Sequence, residues 1–176
     1  MSKVSKKQMK DDRVKVLAEL QKNSNERLDN IAKHCGFSRQ KVWRIVKTID
    51  ADQLTWGYHA VADMEKINRK SYVLLVQWKH MPVENDFEDA LVKRTIDTAG
   101  EKLQVDVEDD LWVGGGTIDQ LVVFTAPDVA QAKQFQELFL ATYAGNIASV
   151  TMLDVVLPIK RSGFLNPGIK QKKKLL

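Results

Sequence analysis

One cysteine, Cys35, is present in the 176 residues, so the chain can close no internal disulfide and hold no Cys-rich zinc site. Histidine is nearly as scarce. His34 beside Cys35 makes two potential ligands without further partners, too few for a metal site, and neither a metal nor a cofactor is expected. Cys35 itself reads as a small buried residue in a turn rather than a reactive thiol. Long apolar runs are also missing. The longest, Tyr72 to Val76, is far too short to cross a bilayer. The amino-terminal lysines are not followed by an apolar segment, so no secretory signal is read, and a cytoplasmic protein with no membrane partner is expected. Acidic residues are absent from two stretches, Ser38 to Thr48 and Pro158 to Leu176.

The small net charge of +4 conceals a division. Residues 1–50 carry 13 Lys and Arg against 6 Asp and Glu, residues 51–157 carry 8 against 17, and residues 158–176 carry 6 against none. A basic head, an acidic body and a basic tail suit a head that faces a polyanion and a body held away from it, serving sensing or assembly. The length admits one or two domains with a real core.

The head is organised by Leu28 to Asp50. Leu28, Ile31 and Ala32 recur at i, i+3, i+4, and Val42, Ile45, Val46 and Ile49 at i, i+3, i+4, i+7, so two short amphipathic helices are expected, over 26–34 and 38–49. Between them Gly36 can take positive φ and close the first helix. Ser38 can cap the second by accepting from its first N–H groups. Two helices joined by a short Gly-containing turn form the unit that lays a recognition helix in the DNA major groove. The outer face of the second helix offers Arg39, Gln40, Lys41, Trp43, Arg44 and Lys47. Cations there can neutralise phosphates, and Arg and Gln can read base edges. With Ser38, these are the candidate DNA-binding residues; a solvated cationic face is the bland alternative. For Trp43, packing on a sugar or thymine methyl stands beside core or interface burial.

A first helix begins at Asp11 or Asp12, with Val14, Leu17, Ala18 and Leu20 facing inward. The core of the head is read as Val14, Leu17, Leu28, Ile31, Val42, Ile45, Val46 and Ile49. Gln53 to Asp63, rich in β-formers around Gly57, reads as a short hairpin, a wing appended to the helices. The first domain is therefore placed at residues 1–67.

From Ser71 the pattern changes. Strands are expected at 72–78, 105–113, 121–125 and 147–157, with one helix from Phe87 to about Ala99 and another from Pro127-Asp128 whose stripe is Ala132, Phe135, Leu138 and Phe139. The order β-α-β-β-α-β gives an antiparallel sheet with both helices on one face, a ferredoxin-like domain over residues 68–157. Its other face also carries apolar residues and should pair with a second copy. Gly114, Gly115 and Gly116 break the chain between strands; Asp109 and Asp110 read as solvated, and Asp119 as a turn cap. The alternative for these acids is a cation or amine site, and for the glycines an anion cradle. Residues 158–176 form a basic tail, either a solubilising end or a further contact to DNA phosphates.

Taken in order, these pieces resemble the Lrp/AsnC, or feast/famine, family of transcriptional regulators over about residues 11–157. The likeness is carried by Asp12 before the first helix, Leu28-Asp29-Asn30-Ile31-Ala32, Gly36-Phe37-Ser38, Val42-Trp43-Arg44-Ile45-Val46-Lys47, Gly57-Tyr58-His59-Ala60-Val61-Ala62-Asp63, Gly116-Thr117-Ile118-Asp119 and Pro127-Asp128. The resemblance implies an α+β chain, a winged helix-turn-helix followed by a βαββαβ domain. It implies a regulator that binds double-stranded DNA as a dimer, often assembled further into octamers, and that in some members takes an amino acid between dimers, near the Gly-x-x-Asp turn. Gly114, Gly116 and Asp119 become candidate effector-site residues. Three consecutive glycines, Ile118 where an aromatic is common and the lysine-rich tail depart from the pattern.

Two other functions fit the same architecture. One is an architectural DNA-binding protein without an effector. The other is an enzyme similar to siroheme decarboxylases, which share this two-domain plan. Such a site needs His with Tyr or Arg clustered in the second domain, and residues 71–157 contain His80, Tyr72, Tyr143 and Arg94 alone of these types. A non-enzyme is the expectation.

Overall fold

Val42, Ile45 and Ile49 lie on one side of a helix, and covering them requires further helices across from it. In the computed structural model, which describes residues 6–79 and 92–172, these are α1 (Lys6–Lys22), α2 (Leu28–Cys35) and α3 (Arg39–Ala51). The chain divides into two units. The first comprises the residues up to Val61 together with Lys160–Leu165; the second comprises Ala62–Ile159 and the tail beyond Leu165.

The core of the first unit is Val16, Leu20, Ile31, Ala32, Val42, Ile45 and Ile49, with Leu17, Leu28 and Val46 partly buried against it. Val14, expected inside, is 59% exposed. Helix α1 starts well before Asp11, and its inward stripe runs through Asp12, Val16 and Leu20 at i, i+4, i+8, which turns Val14 outward. Helix α2 ends at Gly36 in the left-handed conformation, φ +67°, whose N–H returns to carbonyls of α2. Ser38 precedes α3 in extended conformation and its hydroxyl accepts from Lys41 N at 3.2 Å.

The expected wing does not form where the sequence places it. Gln53 to Asp63 contains no strand. Gly57 is not in the positive-φ region that a tight reversal would need, so the segment does not turn back to pair with itself. Leu54, Trp56 and Tyr58 are exposed along it, and the Tyr58 hydroxyl donates to Asp50 Oδ1 at 3.1 Å. A hairpin appears instead far along the chain, in the tail. Strands β5 (Lys160–Arg161) and β6 (Phe164–Leu165) pair antiparallel within the first unit.

The second unit is a four-stranded antiparallel sheet in the order β2-β3-β1-β4: β1 (Lys70–Trp78), β2 (Asp106–Trp112), β3 (Gln120–Ala126) and β4 (Ile147–Asp154). Alternation along β1 sends Tyr72, Leu74, Val76 and Trp78 to one face, where they are buried with Val122 and Phe124. Helices α4 (Thr95–Glu101) and α5 (Val129–Thr142) cover that face with Ile96, Ala132, Phe135 and Phe139. Asp128 caps α5, its Oδ1 accepting from Ala130 N at 2.6 Å. The start of the helix expected from Phe87 lies outside the described residues. The other sheet face presents a cross-strand row of Leu111, Leu121, Leu75 and Thr151, and beside it Val123, Val73 and Leu153. A short 3-10 turn, Met64–Ile67, joins this unit rather than the helical one. Among the described residues no helix is long and apolar enough to cross a membrane.

Candidate nucleic-acid interface

Helix α3 has two sides of opposite character because its apolar residues recur with the helical period. Val42, Ile45 and Ile49 are buried, while Arg39, Gln40, Trp43, Arg44 and Lys47 are all exposed. Asp50 is the first acid after Ser38. Trp43 is 53% exposed, so it lies outside the core. Thr48 turns its hydroxyl onto Ile45 O at 2.7 Å, which leaves the cations as the chemistry of the exposed side.

The candidate residues differ in what else they do. Ser38 is occupied as the cap of α3. Arg39 Nε lies 3.5 Å from Asp29 Oδ1, with both side chains about 70% exposed, a loose surface pair that adds little stability. Lys41 is engaged within the fold. Its Nζ sits 2.7 Å from Asp12 Oδ2 and 3.9 Å from the centre of the Phe37 ring. Asp12 is buried, and Gln8 Nε2 donates to its other oxygen at 3.0 Å. The hydrogen bond from Lys41 holds the Asp12 carboxyl below the usual carboxylate range, against the opposing effect of burial. That leaves Gln40, Trp43, Arg44 and Lys47, with Arg39, as the outward set.

On the back of the helical pair, His34 Nδ1 meets Glu19 Oε2 at 2.7 Å and Lys22 Nζ meets Glu19 Oε1 at 2.5 Å. Cys35 is partly buried in the turn, and burial, then the nearby Glu19 charge, pushes its thiol up. A raised thiol stays protonated at neutral pH. Among the described residues no three His, Cys, Asp or Glu side chains gather as metal ligands.

In the second unit, Gly114, Gly115 and Gly116 are exposed, and Gly115 has φ +91°. Asp119 does not cap its own turn as expected. Its Oδ2 accepts from Trp78 N at 2.8 Å, its N–H donates to Val76 O at 2.9 Å, and its carbonyl accepts from Val113 N at 2.8 Å, so it pins the glycine turn onto the end of β1. Asp110 is not solvated either. It pairs with Arg94 and accepts from Gln120 Nε2 at 2.6 Å, while Gln120 Oε1 accepts from Trp78 Nε1 at 3.1 Å. Trp78 in turn stacks on Trp112, ring centres 5.5 Å apart. Arg94 also forks onto both oxygens of Asp97. Sequence reasoning did not single out Arg94, Gln120 or Trp78 as neighbours of the turn. Their joining depends on the register of three strands, and no local pattern carries it. Asp109 is exposed, as expected.

Scanned against models of known protein families and against curated proteins, the sequence matches none. Its structure matches solved ones. The crystal structure of PH0061 superposes with a TM-score of 0.67 at 16% identity, over 92% of this chain and 98% of that one. An AsnC family transcriptional regulator from Agrobacterium tumefaciens gives 0.65 at 22% identity, over 88% and 95%. Transcriptional regulator NMB0573 from Neisseria meningitidis, solved as its L-Met complex, gives 0.64 at 18% identity, over 94% and 97%. The structural neighbours thus include regulators of the Lrp/AsnC family, and at these identities what this chain shares with them is the fold: a helix-turn-helix unit and a βαββαβ unit in one polypeptide.

Proposed function

We propose that this protein is a sequence-specific DNA-binding transcriptional regulator of Lrp/AsnC type, cytoplasmic and without enzymatic activity. The carrying observation is the exposed face of α3 from Ser38 to Thr48, a stretch without acids, where Gln40, Trp43, Arg44 and Lys47 stand together on a helix held by the Gly36 turn and the Ser38 cap. Such a helix fits the major groove, with cations for phosphates and Arg or Gln for base edges. The helical unit is the DNA-binding domain. The acidic βαββαβ unit associates with a second copy through its open apolar face, built on Leu75, Leu111 and Leu121, and the dimer presents two heads to two half-sites. Association beyond the dimer, to octamers, belongs to the same reading.

Titration of a duplex over a salt series tests the assignment. Log affinity should fall steeply with log salt, and Arg44→Ala or Lys47→Ala should weaken binding by roughly 1–3 kcal/mol. If both variants titrate like the parent, α3 does not enter a groove.

The proposed effector is an amino acid at the Gly114, Gly116 and Asp119 turn, supported by the fold shared with a regulator solved in complex with L-Met. A second reading, an architectural DNA-binding protein with no effector, is favoured by one observation: Asp119 Oδ2 is already engaged by Trp78 N. Calorimetry against a panel of amino acids separates the two. Heat with any of them, abolished by Gly116→Val, supports sensing; no heat with any supports the architectural reading.

A further inference from the structure

The first unit contains an element that its own stretch of sequence does not supply. Lys160–Leu165 lies beyond the whole βαββαβ unit in chain order, yet it belongs with the helix-turn-helix. It is a complete ribbon. Lys160 pairs with Leu165 and Arg161 with Phe164, across a two-residue turn of Ser162, φ +43°, and Gly163, φ +89°. Positive φ at both turn residues is the type I′ signature, the tight reversal whose twist suits a two-stranded ribbon.

Its surface chemistry is that of a polyanion contact. No acid occurs from Val155 to Leu176. Residues directly opposite in an antiparallel pair share a face, so Lys160 stands beside Leu165 and Arg161 beside Phe164. The Lys160 face is the more open of the two: Lys160 is exposed and Leu165 is 69% exposed, while Arg161 is partly covered. The segment expected to be the wing, Gln53 to Asp63, forms no hairpin, and Lys160–Leu165 is the β-ribbon among the described residues of this unit.

We propose that the Lys160–Leu165 hairpin is the wing of the DNA-binding unit: when α3 enters the major groove, Lys160 contacts a backbone phosphate and Leu165 rests on the adjoining sugar edge. The proposal rests on the duplex-binding reading of α3. Arg161 and Phe164 form the less open face of the ribbon. An apolar side chain beside a cation suits this task, since sugar edges are apolar and phosphates flank them.

The test is a fluorescence-anisotropy titration of a labelled mixed-sequence duplex with the full chain, over a salt series, for the parent, Lys160→Gln, Gly163→Val, Lys170→Gln and Arg44→Ala. Lys160→Gln should weaken binding several-fold and reduce the slope of log affinity against log salt by about 0.9, the loss of one phosphate contact. Gly163→Val, which a β-branched residue at φ +89° makes incompatible with the turn, should do at least as much, with the melting curve of the helical unit unchanged. Lys170→Gln, a tail lysine outside the ribbon, should leave the slope unchanged. Equal losses for Lys160→Gln and Lys170→Gln would reduce the effect to general tail charge and overturn the wing. So would parental slopes for Lys160→Gln and Gly163→Val while Arg44→Ala weakens binding, a result that leaves the α3 reading intact. A parent chain that binds no duplex sinks both.

Discussion

Lys41 holds its ammonium 2.7 Å from the buried Asp12 carboxylate and 3.9 Å from the centre of the Phe37 ring, so a cation on the helix proposed to bind DNA ties α3 to α1. The pair also gives the helical unit a pH dependence. Lys41 holds the Asp12 carboxyl below its ordinary value, so the contribution to stability is complete above the unfolded value and is lost as pH falls through the folded one. Thermal melts of the helical unit should therefore show a loss that sets in below about pH 4. Asp12→Asn should flatten that part of the profile, and an unchanged profile would remove the linkage.

At neutral pH, Lys41→Ala leaves the buried carboxylate without its cation and should cost roughly 1–3 kcal/mol of stability. Its effect on duplex affinity, measured where the protein is fully folded, should be smaller than that of Arg44→Ala. A Lys41 variant that melts normally but binds as poorly as the Arg44 variant would return Lys41 to the interface.

Gly36 closes α2 at φ +67°, and no atom lies within 4 Å of where a Cβ would stand. The penalty of a substitution there is one of backbone conformation alone. Gly36→Ala should cost about 1–2 kcal/mol and Gly36→Asn clearly less, since Asn tolerates the left-handed region. Chemical denaturation checks both; equal costs would mean that something other than φ decides.

Asp119 supplies the acceptor for Trp78 N at 2.8 Å, beside the Trp78–Trp112 stack. Asp119→Ala should destabilise the sheet unit by about 1–3 kcal/mol and weaken the near-ultraviolet dichroism of the stacked indoles. Asp119→Asn, which keeps an acceptor oxygen, should restore most of both. If the alanine variant is unaltered in melting and spectrum, the carboxylate is not holding the turn.

The open sheet face sets Leu75 beside Leu121, and Leu121 beside Leu111. Leu75→Lys should shift light scattering toward a monomer while the fold, read by far-ultraviolet dichroism, persists. A variant of parental mass would move the interface elsewhere.

Much of this architecture could be read from local pattern. Ser38 caps α3, Gly36 ends α2, Asp128 caps α5, and Ala132, Phe135 and Phe139 are buried, all as the spacing implies. Each of these depends on neighbours within one or two helical turns. Val14 fits an apolar spacing with Leu17 yet faces outward, because packing against α2 and α3 selects the stripe through Asp12, Val16 and Leu20, and local spacing alone does not choose between the two faces. The reversal expected at Gly57 does not occur, because β-forming composition around a glycine does not by itself specify two positive φ angles. The Ser162-Gly163 dipeptide in the tail carries that turn signal, but no periodicity surrounds it to draw attention.

The sequence by itself determined the two helices around the Gly36 turn, which side of α3 is cationic, and the βαββαβ order, because hydrophobic period, capping and charge act over a few residues. Only the tertiary structure decided that Lys41 belongs to Asp12, that Asp119 answers Trp78, and that a hairpin beyond residue 159 joins residues near the amino terminus. The first two pairs are 29 and 41 positions apart in the chain and the hairpin lies beyond the whole second unit, separations over which no short stretch of sequence acts.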